Sequence, residues 1–84
     1  MKKLLTAFWI EFGDGLANKY GVTAYSLDDA INLLKEKPFH KQVMPPVLSY
    51  KRNIKFSELD QNHVVPNMGP ISERGVWFPI SYFP

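Results

Sequence analysis

The residues of this chain best equipped for chemistry lie in its second half. His63 follows Asp60 by three positions, with Ser57 and Glu58 just upstream and Arg74 further along. On a helical turn, a carboxylate three residues before an imidazole can orient the ring, and an arginine can steady an anion that develops beside it. Those roles describe a small hydrolase or nuclease built on His63 with Asp60 or Glu58. The same residue types also compose a polar, capped turn leading into Val64, Val65 and Pro66, in which His63 serves a structural hydrogen bond. The second reading asks less of the chain and is preferred, so no catalytic residue is assigned. A metal site has little to stand on: His40 and His63 are far apart, share no metal-ligand spacing, and the chain has no cysteine. The Gly13-Asp14-Gly15 stretch lacks the Gly-Lys-Ser/Thr ending of a phosphate loop and the regularly spaced acids of a calcium loop, and reads as a hairpin turn. Asp28 and Asp29 point about 100° apart on a helix, which suits them to its N-terminal dipole rather than to paired acid-base work.

A different chemistry is offered by Trp9 and Trp77. Alternation along a strand puts them on the face opposite Phe8, Ile10, Phe78 and Ile80. If a helix covers the Phe and Ile side, both indoles turn to the other face and form, with Leu5, an apolar patch suited to a protein partner or to self-association. The competing expectation is that residues 38–49 fold over that face and complete an ordinary core. Basic residues gather in the middle of the chain: Lys35, Lys37, Lys41, Lys51, Arg52 and Lys55 stand against one acid, Glu36. Such a stretch can attract phosphates or an acidic protein, although a helix C-terminus and a solvated loop carry lysines for their own reasons. Aromatics beside basic residues allow weak nucleic-acid binding as a third reading, but no arginine-rich run supports it.

These side chains need elements to position them. Residues 3–12, KLLTAFWIEF, read as a first strand with Leu4, Phe8, Ile10 and Phe12 on one face and Leu5, Ala7 and Trp9 on the other. Val22 to Tyr25 can return as a second, antiparallel strand, because the connection is too short for a crossover. Ser26 then opens a helix in SLDDAINLLKEKP. Ser26 and Asp29 approximate a capping box, Leu27, Ala30, Ile31 and Leu34 line one face, and Pro38 stops continuation. The proline-rich residues 38–49 read as an extended connection fastened by Phe39, Val43 and Val47. Tyr50 to Phe56 suggests a third strand, Ser57 to Asp60 a turn capped by Ser57, and Val76 to Tyr82 a last strand that Pro79 pushes to an edge. In the segment between, Pro66 to Pro70 reads as a reverse turn with Gly69 at positive φ.

The expected architecture is therefore α+β in two layers: a small antiparallel sheet of three to four strands with one amphipathic helix on one face, in the order strand, strand, helix, strand, turn, strand. With 84 residues, the chain is expected to form a single domain over 1–84. The apolar share of 45% suffices for one core, and a charged share of 21% argues against disorder. The opening MKKLLTAFWI imitates a secretory leader, but Glu11 and Asp14 end its apolar run, so a strand is expected. No run reaches the roughly 20 apolar residues of a membrane span, and the lack of cysteine makes the cytoplasm the default compartment.

Two stretches carry a resemblance. GVTAYSLDDAINLL and HVVPNMGPISERGVWFPI are similar to a group of short, uncharacterised bacterial proteins that share a Pro-Asn-Met-Gly-Pro word followed by Arg-Gly-x-Trp-Phe-Pro. Residues 9–34 also resemble HicB-type antitoxin domains, which bind and inhibit a small ribonuclease. Neither resemblance transfers a functional residue. What the second implies is a partner-neutralising role, which agrees with the leading expectation: a non-catalytic protein-interaction module without cofactor or metal, contacting its partner through the sheet face that bears Trp9 and Trp77 or through its proline-rich edges, with His63 and Arg74 as further candidate contacts.

Overall fold

The computed structural model describes residues 4–13, 19–37, 39 and 43–83. Within them, β1 (Thr6–Phe12), β2 (Lys19–Ala24), α1 (Leu27–Glu36), β3 (Val47–Arg52) and β4 (Gly75–Phe78) are joined by short 3-10 turns at Phe56–Glu58, Val65–Asn67 and Ile80–Tyr82. The strands form one antiparallel sheet in the order β3-β1-β2-β4. The α+β class with one helix on a four-stranded open sheet is as the sequence pattern requires. Residues 14–18 and His40 lie outside the described residues, and with them the hairpin expected at Asp14 and Gly15.

β1 and β2 are the two central strands, and the apolar content of both faces of β1 explains why. Phe8, Ile10 and Phe12 point to the helix side and are buried, where they meet Tyr20, Val22, Ala24 and Val76. Ala30 and Leu34 of α1 complete this core, and Leu27, Ile31 and Leu33 are packed against its margin. The helix lies over β2 and β4 rather than centrally. Burying each large apolar side chain here contributes about 1.5–3 kcal/mol before conformational entropy is charged against it.

The start of α1 is set by its cap. Ser26 is extended and its hydroxyl accepts the Asp29 N–H at 3.1 Å, while Asp29 Oδ2 accepts the Tyr25 N–H at 3.0 Å. The reciprocal bond therefore falls on the residue before the cap, one position further out than in a Glu-bearing capping box. At the other end Lys37 is already extended, as a residue preceding proline prefers, and its N–H closes on the Leu33 carbonyl.

The opposite sheet face is also covered. Leu59, Val64 and Trp77 are buried there, with Trp9, Ile54, Val65, Met68, Ile71, Phe78 and Phe83 packed around them. The cover is the irregular segment 54–72; of residues 38–49, those described include Phe39 and Met44, which pack in the helix-side core instead. Of the three side chains expected to fasten residues 38–49, only Phe39 is buried; Val43 is 95% exposed and Val47 is exposed, while Met44 takes a place against the core.

Other boundaries move for local reasons. β3 begins at Val47 and ends at Arg52, because Asn53 turns the backbone into the left-handed region at φ 59, which asparagine tolerates. The following turn is entered from Lys55, with Glu58 Oε1 accepting the Lys55 N–H at 2.9 Å, so Ser57 is not its cap. β4 stops at Phe78, and Pro79 starts the 3-10 turn instead of extending the strand. Positive φ falls on Gly75, not on Gly69.

Candidate functional site

The two tryptophans have different fates. Trp77 is fully buried, with no exposed surface (0%), so it is not presented to a partner as alternation alone suggested. Its indole lies against the backbone of Gly21, where a Cβ would come within 2.4 Å of ring carbons. Trp9, directly across from Gly21 on β1, packs beside it with ring centroids 6.0 Å apart, and stands 5.4 Å from Phe78. Trp9 keeps part of its surface in solvent. The clue to this arrangement was in KYGVTA: a glycine inside a strand commonly marks a place where another group approaches the backbone closely. The Trp77 Nε1–H finds no acceptor among the described residues, which costs about 1–3 kcal/mol for a buried donor.

His63 and Arg74 are held in separate settings. Asp60 Oδ1 accepts the Asn62 and His63 N–H groups at 2.8 and 3.0 Å, and its Oδ2 lies 3.3 Å from His63 Nδ1. The His63 side chain is 84% exposed. Those bonds, the Asn62 amide first and then the His63 amide, hold the Asp60 carboxyl below the ordinary aspartate range. This is a turn built on an aspartate side chain, with the imidazole resting on its outer oxygen. Arg74 instead reaches α1: Nε and Nη2 donate to the two oxygens of Asp29 at 2.9 and 2.5 Å, and the guanidinium stands 5.6 Å from the Tyr25 ring centre. The Asp29 carboxylate holds the Arg74 guanidinium even more firmly charged than usual. Arg74 thus pins the approach to β4 onto the helix N-terminus. No bond joins it to His63, Asp60 or Glu58 among the described residues.

A cleft of about 280 Å³ does open beside Trp9, lined by Lys19, Lys51, Ile54, Glu58, Leu59, Asp60 and Val64. It falls just below the roughly 300–1,000 Å³ of small-molecule sites. Its charged groups are largely engaged: Glu58 and Asp60 hold backbone amides, and Lys19 Nζ lies 3.8 Å from Glu11 Oε1. The room suits one side chain better than a cofactor. Among the described residues, no three His, Asp or Glu side chains gather to hold a metal ion, and no helix is long and apolar enough to cross a membrane.

The third strand, expected over Tyr50 to Phe56, runs instead from Val47 to Arg52 as β3, and what pattern reading missed is its exposure. All six of its residues are exposed, although Val47, Leu48 and Tyr50 are apolar, and Leu48 reaches 70%. It pairs with β1 on one side only and forms an edge of the sheet. Arg52 spreads over the helix-side rings of Phe8 and Tyr50 at 5.9 and 5.8 Å, while Lys51 stands across from Trp9 on the other face. An edge strand turns every second N–H and C=O pair outward, ready to bond another strand. The signal available beforehand was the run VLSYKR itself, apolar at one end and basic at the other, but the prolines before it drew it into the connection.

Comparisons of the chain with known protein families, with curated proteins and with solved structures find no match.

Proposed function

We propose that this chain is a non-catalytic protein-interaction module, and that it binds an extended segment of a protein partner along the outer edge of β3. The observation that carries this reading is an edge strand exposed at every position, with Leu48 and Tyr50 among its side chains. In strand addition, main-chain bonds supply affinity and the alternating side chains supply selectivity. The contact surface thus moves from the tryptophans to β3, since burial removes Trp77 from reach. A partner-neutralising role, of the kind the HicB-type resemblance implies, fits a module that masks or recruits one protein. The hydrolase reading keeps Glu58 and Asp60 at one cleft, but Arg74 is held at Asp29 on the helix instead of beside them.

A photoreactive residue placed at Leu48 in one sample, and at His63 in another, tests the reading in the source cell. Adducts to a discrete protein from position 48, with none from position 63, are expected. Adducts only from position 63 would move the contact to the Asp60 turn and end the β3 proposal.

A further inference from the structure

We infer that the segment received by β3 is acidic as well as extended, an inference that rests on the strand-addition reading above. Between positions 47 and 55 stand three cations, Lys51, Arg52 and Lys55, and no carboxylate. None of the three is ion-paired among the described residues, whose ion pairs are Lys19 with Glu11, His63 with Asp60 and Arg74 with Asp29. The net charge of the whole chain is only +2; the carboxylates nearest Lys51, those of Glu11, Glu58 and Asp60, are already taken by Lys19 and by backbone amides.

The placement of these charges is specific. Lys51 and Arg52 are successive residues of one strand, so they leave the edge on opposite faces, Lys51 on the Trp9 side and Arg52 on the Phe8 side. A strand laid beside β3 therefore meets a cation on each face at nearly the same point. Opposite charges at cross-strand positions stabilise such a pair, and like charges there destabilise it. Ahead of that point, Leu48 and Tyr50 call for apolar or β-branched neighbours. A second copy of this chain would bring three more cations to the same edge. Charge therefore selects a segment with apolar residues followed or preceded by carboxylates on both faces, and disfavours self-pairing.

The test uses fluorescence anisotropy with labelled ten-residue peptides in which Val and Thr surround two adjacent central residues, either Glu, Gln or Lys. The Glu peptide is expected to bind about tenfold more tightly than the Gln peptide, with the Lys peptide weaker again. In the double variant Lys51→Gln, Arg52→Gln, the preference for Glu over Gln should vanish, and raised salt should erode it in the wild type. Proline replacements Ser49→Pro and Tyr50→Pro are tested separately. One of the two residues turns its N–H outward, so the variant that keeps its circular dichroism and melting should lose all peptides. Equal binding of Glu and Gln peptides, lost in that variant, overturns the acidic inference and leaves strand addition standing. Glu-peptide binding that survives a folded proline variant overturns strand addition and leaves only charge attraction. Absence of binding by all three peptides overturns both.

Discussion

The two edges of the sheet are built to opposite ends. At β4 the strand is short and its first three residues are buried, and proline follows its last residue. Its Trp77 carbonyl is already taken by the Gly69 N–H at 2.6 Å, and next door the Thr23 hydroxyl donates to the Ile71 carbonyl at 2.6 Å. Chain segments thus occupy the place where another strand would dock. β3 lacks these protections: it is longer, exposed throughout and free of proline, and is guarded by Lys51, Arg52 and the irregularity at Leu48 where its register with β1 shifts. Short edges, proline and covering loops are the ordinary defences against unwanted pairing, while lone lysines are the mildest of them. One fold therefore carries a sealed edge and an accessible one, and the accessible one is where a binding function is sought.

Breaking the sealed side should cost the most. Trp77→Ala removes the centre of the second apolar cluster and should destabilise by about 3–5 kcal/mol, read as a fall in the urea midpoint. The variant is consequently a stability probe, unfit as a surface control. Gly21→Ala pushes a methyl group into the indole of Trp77 and should cost about 1–3 kcal/mol by the same measurement; a neutral result would mean that the indole can slide aside. Ser26→Ala removes the cap of the helix that rests on β2 and β4, and should lower stability by about 1 kcal/mol, with the helical ellipticity following.

On the open side the expected stability effects are small. Leu48→Ser, at a side chain mostly in water, should stay within about 0.5 kcal/mol of the wild type in urea melts while weakening partner capture. A large loss of stability there would show that β3 is structural and not available. The finest test concerns the cover. Asp60 is held below its unfolded value of about 3.9, so the turn it caps is supported above that pH, and the support fades as pH falls through the lower folded value. The Asn62 and His63 amide resonances, followed by NMR during acid titration, should shift with a midpoint below 3.9, without loss of the sheet.

The central strands, the helix and its Ser26 cap were legible because each rests on local rules: alternation in TAFWIEF, the spacing of Leu27, Ala30, Ile31 and Leu34, and a serine before paired acids. Pro79 likewise announced an edge. The candidate site was far less legible. Whether Trp77 faces water depends on residues 54–72, which cross its face with no periodicity, bonding through isolated pairs such as Thr23 with Ile71. Likewise, the exposure of β3 among the described residues goes with helix placement over β2 and β4, a tertiary choice that no short run of residues encodes. His63 and Asp60 were read as neighbours, and the structure gives them the amide bonds of a turn built on Asp60, a spacing that a turn and an imidazole-carboxylate pair share.

The bond from Gly69 to the Trp77 carbonyl also governs what the molecule can assemble into. Sheets grow into fibres when each copy offers two usable margins, one to accept a neighbour and one to pass the pairing on. With the β4 margin taken up from within, copies of this chain have only β3 to offer one another, and pairing through it would end at two copies.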